Sequence, residues 1–444
     1  MRTLIEGGTV VSMNQNRDVI ENGSVLIENE RISAVGPRET FTKVQVDSKI
    51  NATGRIVIPG LINAHTHLFQ SLLRGLGDDR TLLDWLRNVI WPIAQQIGPR
   101  ECYDGARLGL LENIRSGVTT VIDNHYIHTS SSNMDMVARA AYESKLRVIL
   151  ARGFYDTNAI EPFVEDGGTV IRETKRLNAK CLEQPGDSVR VWFGPMTPWT
   201  VTPELFRECK AVADELGIGI HIHVAENKEE VDMISREYNK THVSFLDSLG
   251  MLSSRFHAVH GVWLTEDEIS TLSKAGCSLI YNPISNMYLA SGIAPIVKAN
   301  GRVNIALGTD GPASNNNQDM FFNMKAGVLL QKVALLSPTC LTSYQILDMA
   351  TRGGARALGL EKEVGSIEKG KRADLAIINP QTPHIQPLHD PVSALVYCAN
   401  TNDVETVIAN GNVVMRDRAV LSLKEDEVLA AAKESGRRLR ESKH

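Results

Sequence analysis

The sequence GIHIHVAENKEEVDMISREY, residues 219–238, contains the unit from which most of the fold is built. Residues 219–226 form a short run rich in apolar and β-branched side chains, which is typical of a buried strand. Residues 227–238 combine charged residues with apolar residues at helical spacing, which predicts an amphipathic helix. A strand that leads directly into a helix is the unit of an α/β protein with a parallel sheet.

The same strand–helix unit recurs on both sides of this stretch. Helical stretches, such as residues 203–217, separate further strands predicted at residues 55–65, 119–123, 147–154, 189–195, 257–262, 278–283 and 304–310. With residues 219–226 the strands number eight, which is the count of a closed (β/α)8 barrel of the TIM type. A doubly wound open sheet is the alternative. Its dinucleotide-binding form is disfavoured because no GxGxxG motif follows the first strand of the centre.

Both ends of the chain carry short strands instead. Residues 3–13 and 23–36 alternate β-branched side chains with Gly and Asn, and residues 373–380 and 404–415 have the same character. The second pair includes an Asn-Gly hairpin signal. Two β-rich segments that flank a long centre predict one small sheet domain built from both termini.

The composition fits a globular protein without nucleic-acid or membrane partners. The 444 residues are enough for one large barrel and a small satellite domain. The net charge of −5 gives no general attraction to nucleic acid or anionic membranes. The N-terminal sequence lacks the apolar core of a signal peptide, and the six cysteines are scattered without a CxxC motif. We therefore predict a cytoplasmic protein with reduced thiols.

Histidines and a carboxylate lie where two of the predicted strands end. His65 and His67 close the first strand, and alternate residues of a strand point the same way, so both imidazoles face one side. His223 ends the strand of residues 219–226, and Glu226 follows three residues later. A carboxylate at that place can reach a water molecule at a metal site without binding the metal itself. The structural alternative is that Glu226 caps the next helix.

Two further strands end on residues with the same chemistry. His260 lies at the end of the strand predicted at 257–262, and Asp310 ends the strand at 304–310. An Asp before Gly is often only a turn former. Together with His65, His67 and His223, however, these residues supply nitrogen and oxygen ligands at the strand ends where barrels carry their active sites. The combination predicts a metal centre with a nearby proton carrier.

Several motifs resemble those of the amidohydrolase superfamily. They are PGLINAHTHLFQSLLRG (59–75), HIHVAEN (221–227), AVHGVWL (258–264), YNPISNMYLASGIAP (281–295), GTDGPASNNNQDM (308–320) and GSIEKGKRADLAII (365–378). The branch they resemble contains triazine hydrolases, guanine-type deaminases and S-adenosylhomocysteine/methylthioadenosine deaminases. The resemblance implies a distorted barrel over residues 57–365 and a small β-sandwich from residues 1–56 and 366–424. The apolar spacing of the last residues adds a C-terminal helix over residues 425–444.

The resemblance also implies a ligand set for one divalent metal ion. Zinc fits three imidazoles and one carboxylate, and Fe²⁺ fits them too. Members with two metal ions carry a modified Lys on the fourth strand, and the strand at 189–195 has none. The expected ligands are His65, His67, His223 and Asp310.

The remaining polar residues take roles beside the metal. By the resemblance, Glu226 matches the proton shuttle, and His260 matches the residue that orients the attacking oxygen and can reach the metal. Asp310 would accept a proton from the attacking water. His221 and His257 match no required position and are interpreted as packing residues.

The reaction implied is hydrolytic deamination of an aminated N-heteroaromatic ring of the triazine, pyrimidine or purine type. A chlorotriazine-type dehalogenase and an S-adenosylhomocysteine/methylthioadenosine deaminase are the alternatives. A cyclic-amide hydrolase is disfavoured by the missing strand-four Lys, and a non-catalytic assembly protein by the complete ligand set. The resemblance further implies a homo-oligomer, a dimer or larger.

Two departures bear on the substrate. Nucleoside deaminases of this branch have a Glu where this chain has Ala94, and a His where it has Met196. Both changes remove polar contacts to a sugar, which favours a bare small-molecule ring over adenosine derivatives. The candidate substrate-binding residues are Gln70, Trp85, Trp91, His125, Met196, Trp199, Asn286 and Ser314.

Overall fold

The computed structural model describes residues 1–184 and 186–441. The strands are β1 (Arg2–Val11), β2 (Val19–Glu28), β3 (Arg31–Pro37), β4 (Ser48–Asn51), β5 (Ile56–Pro59), β6 (Leu61–Thr66), β7 (Val118–His125), β8 (Arg147–Phe154), β9 (Val189–Pro195), β10 (Ile220–Val224), β11 (Phe256–His260), β12 (Ser278–Tyr281), β13 (Asn304–Leu307), β14 (Leu375–Ile378), β15 (Val404–Ala409), β16 (Asn412–Arg416) and β17 (Ala419–Val420).

The helices lie mainly between the strands of the centre. They are α1 (Leu82–Trp85), α2 (Trp91–Ala94), α3 (Pro99–Arg115), α4 (Asn133–Ser144), α5 (Gly167–Leu182), α6 (Pro203–Leu216), α7 (Lys228–Tyr238), α8 (His242–Ser248), α9 (Glu266–Lys274), α10 (Pro283–Tyr288), α11 (Ile296–Ala299), α12 (Pro312–Asn315), α13 (Met320–Ala334), α14 (Ser343–Asp348), α15 (Gly354–Ala357), α16 (Pro391–Tyr397) and α17 (Glu425–Glu441). Short 3₁₀ turns span Arg38–Phe41, Leu68–Leu72, Glu161–Phe163 and Thr401–Asp403, and π-helical turns span Leu86–Ile90 and Met349–Gly353.

Strands β6 to β13 form an eight-stranded parallel sheet in chain order. The first and last strands meet, because the backbone N–H groups of Thr309 and Asp310 donate to the His65 carbonyl at 3.1 and 2.9 Å. The predicted (β/α)8 barrel is therefore confirmed. The strands are apolar along their length because both of their faces are covered.

The interior of the barrel has its own apolar cluster. Ile122 and Ile149 are register partners in it, as are Val259 and Ile280. The cluster takes no residue from β10, because the buried histidines His221 and His223 lie on that strand. Apolar residues of α15 and the segment after it, including Ala357, pack against this cluster.

The two termini form a second sheet, as predicted. Its strand order is β17-β16-β15-β14-β5-β1-β2-β3, and β4 pairs with β1. A buried ion pair links it to the barrel: the Arg147 guanidinium in β8 contacts the Asp374 carboxylate next to β14. The backbone N–H of Asn410 also donates to Asp374 at 2.7 Å.

The predicted strand at 55–65 is in fact two strands in two different sheets. Strand β5 pairs with β1 and β14 in the terminal sheet, and β6 is the first strand of the barrel. The chain divides at Gly60, where a Cβ atom would lie 2.2 Å from Thr119 Oγ1. This close approach lets one continuous apolar run serve both sheets.

The predicted C-terminal helix is present as α17 and packs on α3. Ser435 Oγ donates to Asp104 Oδ2 at 2.7 Å, and the Arg438 guanidinium lies 2.6 Å from Glu101. Residues 442–444 of the predicted helix lie outside the described residues. Across the described chain, no helix combines the length and the apolarity that crossing a bilayer would require.

Candidate functional site

The structure brings the predicted metal ligands together at the carboxyl ends of the barrel strands. His65 lies in β6, His67 directly follows it, and His223 lies in β10. Donor atoms of these three histidines lie within 4.8 Å of one another, and the same holds for His65, His260 and Asp310. All five side chains are buried.

Hydrogen bonds fix the position of the ring proton on two of these histidines. His67 Nδ1 lies 2.5 Å from the Asn124 carbonyl, and His223 Nδ1 lies 2.8 Å from the Met196 carbonyl. A carbonyl oxygen only accepts, so Nδ1 is the donor in each ring, and a neutral ring then carries its lone pair on Nε2.

The Nε2 atoms of His67 and His65 face a carboxylate. His67 Nε2 lies 3.3 Å and His65 Nε2 lies 3.2 Å from Asp310 Oδ1. His65 Nε2 is buried and makes no hydrogen bond of good geometry within the described residues. Two acceptors at this distance repel each other unless a cation lies between them. The donor set of imidazole nitrogens and one carboxylate therefore fits a zinc-like divalent ion.

Burial controls the charge of these ligands. It lowers the pKa of His65 to about 3 and the pKa of His223 well below its usual value, so both imidazoles are neutral near pH 7. Burial alone would raise the pKa of Asp310, but the adjacent His65 and His67 hold it well below its usual range. Neutral imidazoles and an ionised carboxylate are the forms that bind a metal.

The backbone at or just after the ends of three strands adopts the left-handed region. Ala225, His260 and Asp310 have φ values of 49°, 71° and 62°. Such residues are held against local strain and cluster at functional sites. The turn aims the Asp310 carboxylate at the histidines, and Ser285 Oγ and Ser314 Oγ donate to Oδ2 at 2.5 and 3.1 Å.

Glu226 lies beside this cluster and is free of a capping role. The N-cap of α7 is Asn227, whose side chain accepts from the Glu230 backbone N–H at 3.0 Å. Glu226 Oε2 lies 3.6 Å from His260 Nε2. Burial, helped by the nearby charges of Glu230 and Asp310, raises the pKa of Glu226 well above its usual value. A raised pKa lets a carboxyl group keep its proton to higher pH, which suits it to donate that proton.

A cavity opens in front of these residues, and four of the eight candidate substrate-binding residues line it. These are Gln70, Trp85, Met196 and Ser314. Trp85 is held by its Nε1–H, which donates to the Ala313 carbonyl at 3.2 Å. Gln70 donates to the Tyr126 hydroxyl at 2.9 Å.

The other four candidates do not line the cavity. Trp91 packs edge-on against Tyr155, and His125 Nε2 lies 3.0 Å from the Ile127 carbonyl. Asn286 Nδ2 lies 2.9 Å from His260 Nδ1, where it orients the imidazole instead of meeting a substrate. Trp199 donates from Nε1 to Glu230 at 2.8 Å. Ala94, at the end of α2, is also buried and is not among the cavity residues.

Sequence reasoning missed several residues of the cavity wall. Tyr126 could have been found because it follows His125 at the end of β7. Glu230 carries a third buried carboxyl group in the cavity, besides Glu226 and Asp310, and burial raises its pKa to about 7. The remaining ones are Leu82, Leu86, Thr197 and Leu289.

Comparison with known proteins gives consistent relatives. The chain is 42% identical over 414 residues to a 5'-deoxyadenosine deaminase from Methanothermobacter thermautotrophicus, and the match covers 93% of this chain and 94% of that protein. It is 39% identical over 441 residues to a 5-methylthioadenosine/S-adenosylhomocysteine deaminase from Syntrophomonas wolfei, over 99% of both chains. An adenosine deaminase from Xanthomonas campestris, solved with bound zinc, has a TM-score of 0.93 and 33% identity over 99% of this chain and 98% of its own.

These relatives confirm the predicted enzyme class, a hydrolase of C–N bonds that deaminates cyclic amidines. Residues 56–414, which include every predicted metal ligand, match the amidohydrolase family. The resemblance inferred from the sequence motifs is thus confirmed over most of the chain, and the protein belongs to the amidohydrolase family.

Proposed function

We propose that this chain is a zinc-dependent deaminase of 6-aminopurine nucleosides that lack a phosphate, of the 5'-deoxyadenosine type. The observation that carries the proposal is the convergence of His67, His223, His260, Asp310 and Glu226 on one cavity, where burial raises the pKa of Glu226. In this proposal His65, His67, His223 and Asp310 hold the metal ion. When bound, such an ion supplies Lewis acidity, which makes water a nucleophile near neutral pH.

The chain's own residues then handle the protons. Asp310 accepts a proton from the attacking water, and its Oδ2 is held in place by Ser285 and Ser314. Glu226 donates its proton to the ring nitrogen beside the reacting carbon, which removes the aromatic stabilisation of that ring and allows the new C–O bond to form. His260, 3.6 Å from Glu226, orients the attacking oxygen.

The products follow from the same transfers. The proton held by Asp310 passes to the amino group, the C–N bond breaks, and ammonia leaves. The ring nitrogen keeps the proton that came from Glu226. The second proton of the water, which is on the new hydroxyl group, returns to Glu226, and the reacting carbon then keeps the oxygen as a carbonyl. Water and the aminated ring are thereby converted to an oxo ring and ammonia.

The preference for a nucleoside over a bare ring rests on the relatives and on the cavity wall. The named relatives act on 5'-deoxyadenosine, methylthioadenosine, S-adenosylhomocysteine or adenosine. Ala94 and Met196 favour the opposite choice, a bare ring. Ala94, however, does not line the cavity, and Glu230 from α7 supplies a carboxyl group there. We assign to Glu230 the contact with the sugar hydroxyls.

Self-association and cytoplasmic location complete the proposal. Phe322, Leu329 and Val333 share one face of α13 and are 43–72% exposed, and Leu336, in the turn after the helix, is 91% exposed. An apolar stripe of this kind supports a homo-oligomeric contact. Sedimentation of the Val333→Glu variant tests this homo-oligomeric contact. A species of lower mass than the wild type is expected, and an unchanged mass would refute the contact.

All six cysteines are free, which fits the reducing cytoplasm.

The substrate proposal is tested by release of ammonia and chloride from a panel of rings. The panel contains 5'-deoxyadenosine, methylthioadenosine, adenosine, adenine, guanine, cytosine, melamine and a chlorotriazine. We expect ammonia release to be fastest from the nucleosides. Ammonia release from bare rings alone would refute the nucleoside assignment. It would instead support the inference from Ala94 and Met196 that the substrate has no sugar. Chloride release alone would refute the deaminase and favour the dehalogenase.

A further inference from the structure

The interior of the barrel holds two buried histidines that the proposed reaction does not use. His221 in β10 and His257 in β11 are register partners on neighbouring parallel strands. Both residues have no exposed surface. The sequence offered no role for them beyond packing, yet each imidazole brings two polar nitrogens into an apolar interior, where an unpaired polar atom is costly.

The structure pairs every one of these nitrogens. His65 Nδ1 lies 2.8 Å from His221 Nε2, and His221 Nδ1 lies 3.1 Å from His257 Nδ1. His257 Nε2 lies 2.8 Å from the backbone carbonyl of Ala357, at the end of α15. The three imidazoles therefore form one continuous hydrogen-bonded chain. It runs from the proposed metal ligand His65 to the backbone carbonyl of Ala357.

The direction of the chain follows from its last member. The Ala357 carbonyl only accepts, so the proton of His257 is on Nε2 and its Nδ1 is an acceptor. His221 must then donate from Nδ1, which leaves its Nε2 as an acceptor. His65 must in turn donate from Nδ1, so its lone pair is on Nε2. That atom is the one that lies 3.2 Å from Asp310 Oδ1.

We propose that His221 and His257 are positioning residues that set the tautomer and ring orientation of His65, and thereby the affinity of the site for a divalent metal ion. Neither residue contacts the substrate or belongs to the ligand set. A ligating imidazole whose other nitrogen has a fixed acceptor is held in the productive tautomer, and loss of such a partner lowers metal affinity about ten- to a hundredfold. The inference rests on the metal site of the proposed function but not on its substrate.

Glutamine and methionine provide a matched pair for the test. A Gln side chain in place of His221 has an oxygen that can accept from His65 Nδ1 and an amide group that can donate to His257 Nδ1. A Met side chain has nearly the same length and shape but provides no donor. Zinc binding to the metal-free protein is measured by competition with a chromogenic chelator, with no substrate present.

We expect the zinc dissociation constant of His221→Met to rise about ten- to a hundredfold and that of His221→Gln to stay within about threefold of wild type. Equal affinities of the two variants, whether both weak or both normal, would overturn the proposal. The His257→Gln and His257→Met pair repeats the comparison one residue further from the metal, where Gln can accept from His221 and donate to Ala357. The test therefore does not depend on the folding of a single variant.

The control is His128→Met. His128 Nε2 also lies near a backbone carbonyl, 2.7 Å from that of Gly153, but it is outside the chain of three histidines. Its zinc affinity should equal that of the wild type. This test measures zinc binding alone. If the protein binds zinc as expected but deaminates none of the nucleosides, the proposed substrate is refuted and the role of the three histidines is still supported.

Discussion

Replacing Glu226 with Gln separates proton donation from metal binding. Gln keeps the size of the side chain and the neutral charge that Glu226 has when protonated, but it provides no acidic proton. Glu226 is only 4% exposed, so solvent cannot easily take over the transfer. Loss of a positioned proton donor costs roughly 10²- to 10⁴-fold in rate, which corresponds to about 3–5 kcal/mol of transition-state stabilisation.

The assay is ammonia release from 5'-deoxyadenosine at saturating substrate, with zinc content measured on the same preparation. We expect kcat to fall by at least about a hundredfold while zinc stays bound, because Glu226 is not part of the ligand cluster. The control is Glu229→Gln, which removes a carboxylate three residues further along the chain where the side chain is exposed. Unchanged turnover in Glu226→Gln, or loss of zinc along with activity, would refute the role of Glu226 as a proton donor that does not bind the metal.

Three further changes test the cavity and the fold. Glu230→Ala should lower kcat/KM for 5'-deoxyadenosine by about tenfold or more, because a buried hydrogen bond to the sugar is lost. For a 2',3'-dideoxy analogue, which lacks the sugar hydroxyls, the substitution should cause no such loss. Equal losses for both substrates would refute a contact between Glu230 and the sugar. Asp123 is buried, and burial raises its pKa from 3.8 to about 7 in the folded protein. Between these two pH values the folded protein keeps a proton that the unfolded chain has released, so the free energy of unfolding falls as the pH rises. In chemical denaturation the wild type should therefore lose at most about 4 kcal/mol of stability relative to Asp123→Asn between pH 4 and pH 7, and nothing more above pH 7. Arg147→Met leaves Asp374 buried without its partner and should destabilise the protein by about 3–5 kcal/mol; a loss under about 1 kcal/mol, as expected for an exposed pair, would contradict that role.

The sequence was most informative where local chemistry decides the structure. The predicted strands at 147–154 and 189–195 coincide with β8 and β9 because both are short apolar runs that lie between helical stretches. The histidines and carboxylates at strand ends also meet as predicted, since parallel strands of a barrel present their carboxyl ends at one rim.

The sequence was least informative where distant residues decide the geometry. The pairing of His221 with His257 depends on the register between β10 and β11, which no local pattern encodes. Glu230 reaches the cavity because Asn227 caps α7 and sets the direction of its first turn. Gly60 divides a continuous apolar run only because Thr119 lies against it.

In the proposed function, the buried histidines and Asp310 bind one metal ion on which hydrolytic deamination depends. The most direct measurement is ammonia release from 5'-deoxyadenosine before chelation, after chelation and after stepwise return of zinc, with metal content determined at each stage. We expect activity to disappear on chelation and to be fully restored by one equivalent of zinc per chain. Ammonia release that persists in metal-free protein, or that requires two ions per chain, would contradict it.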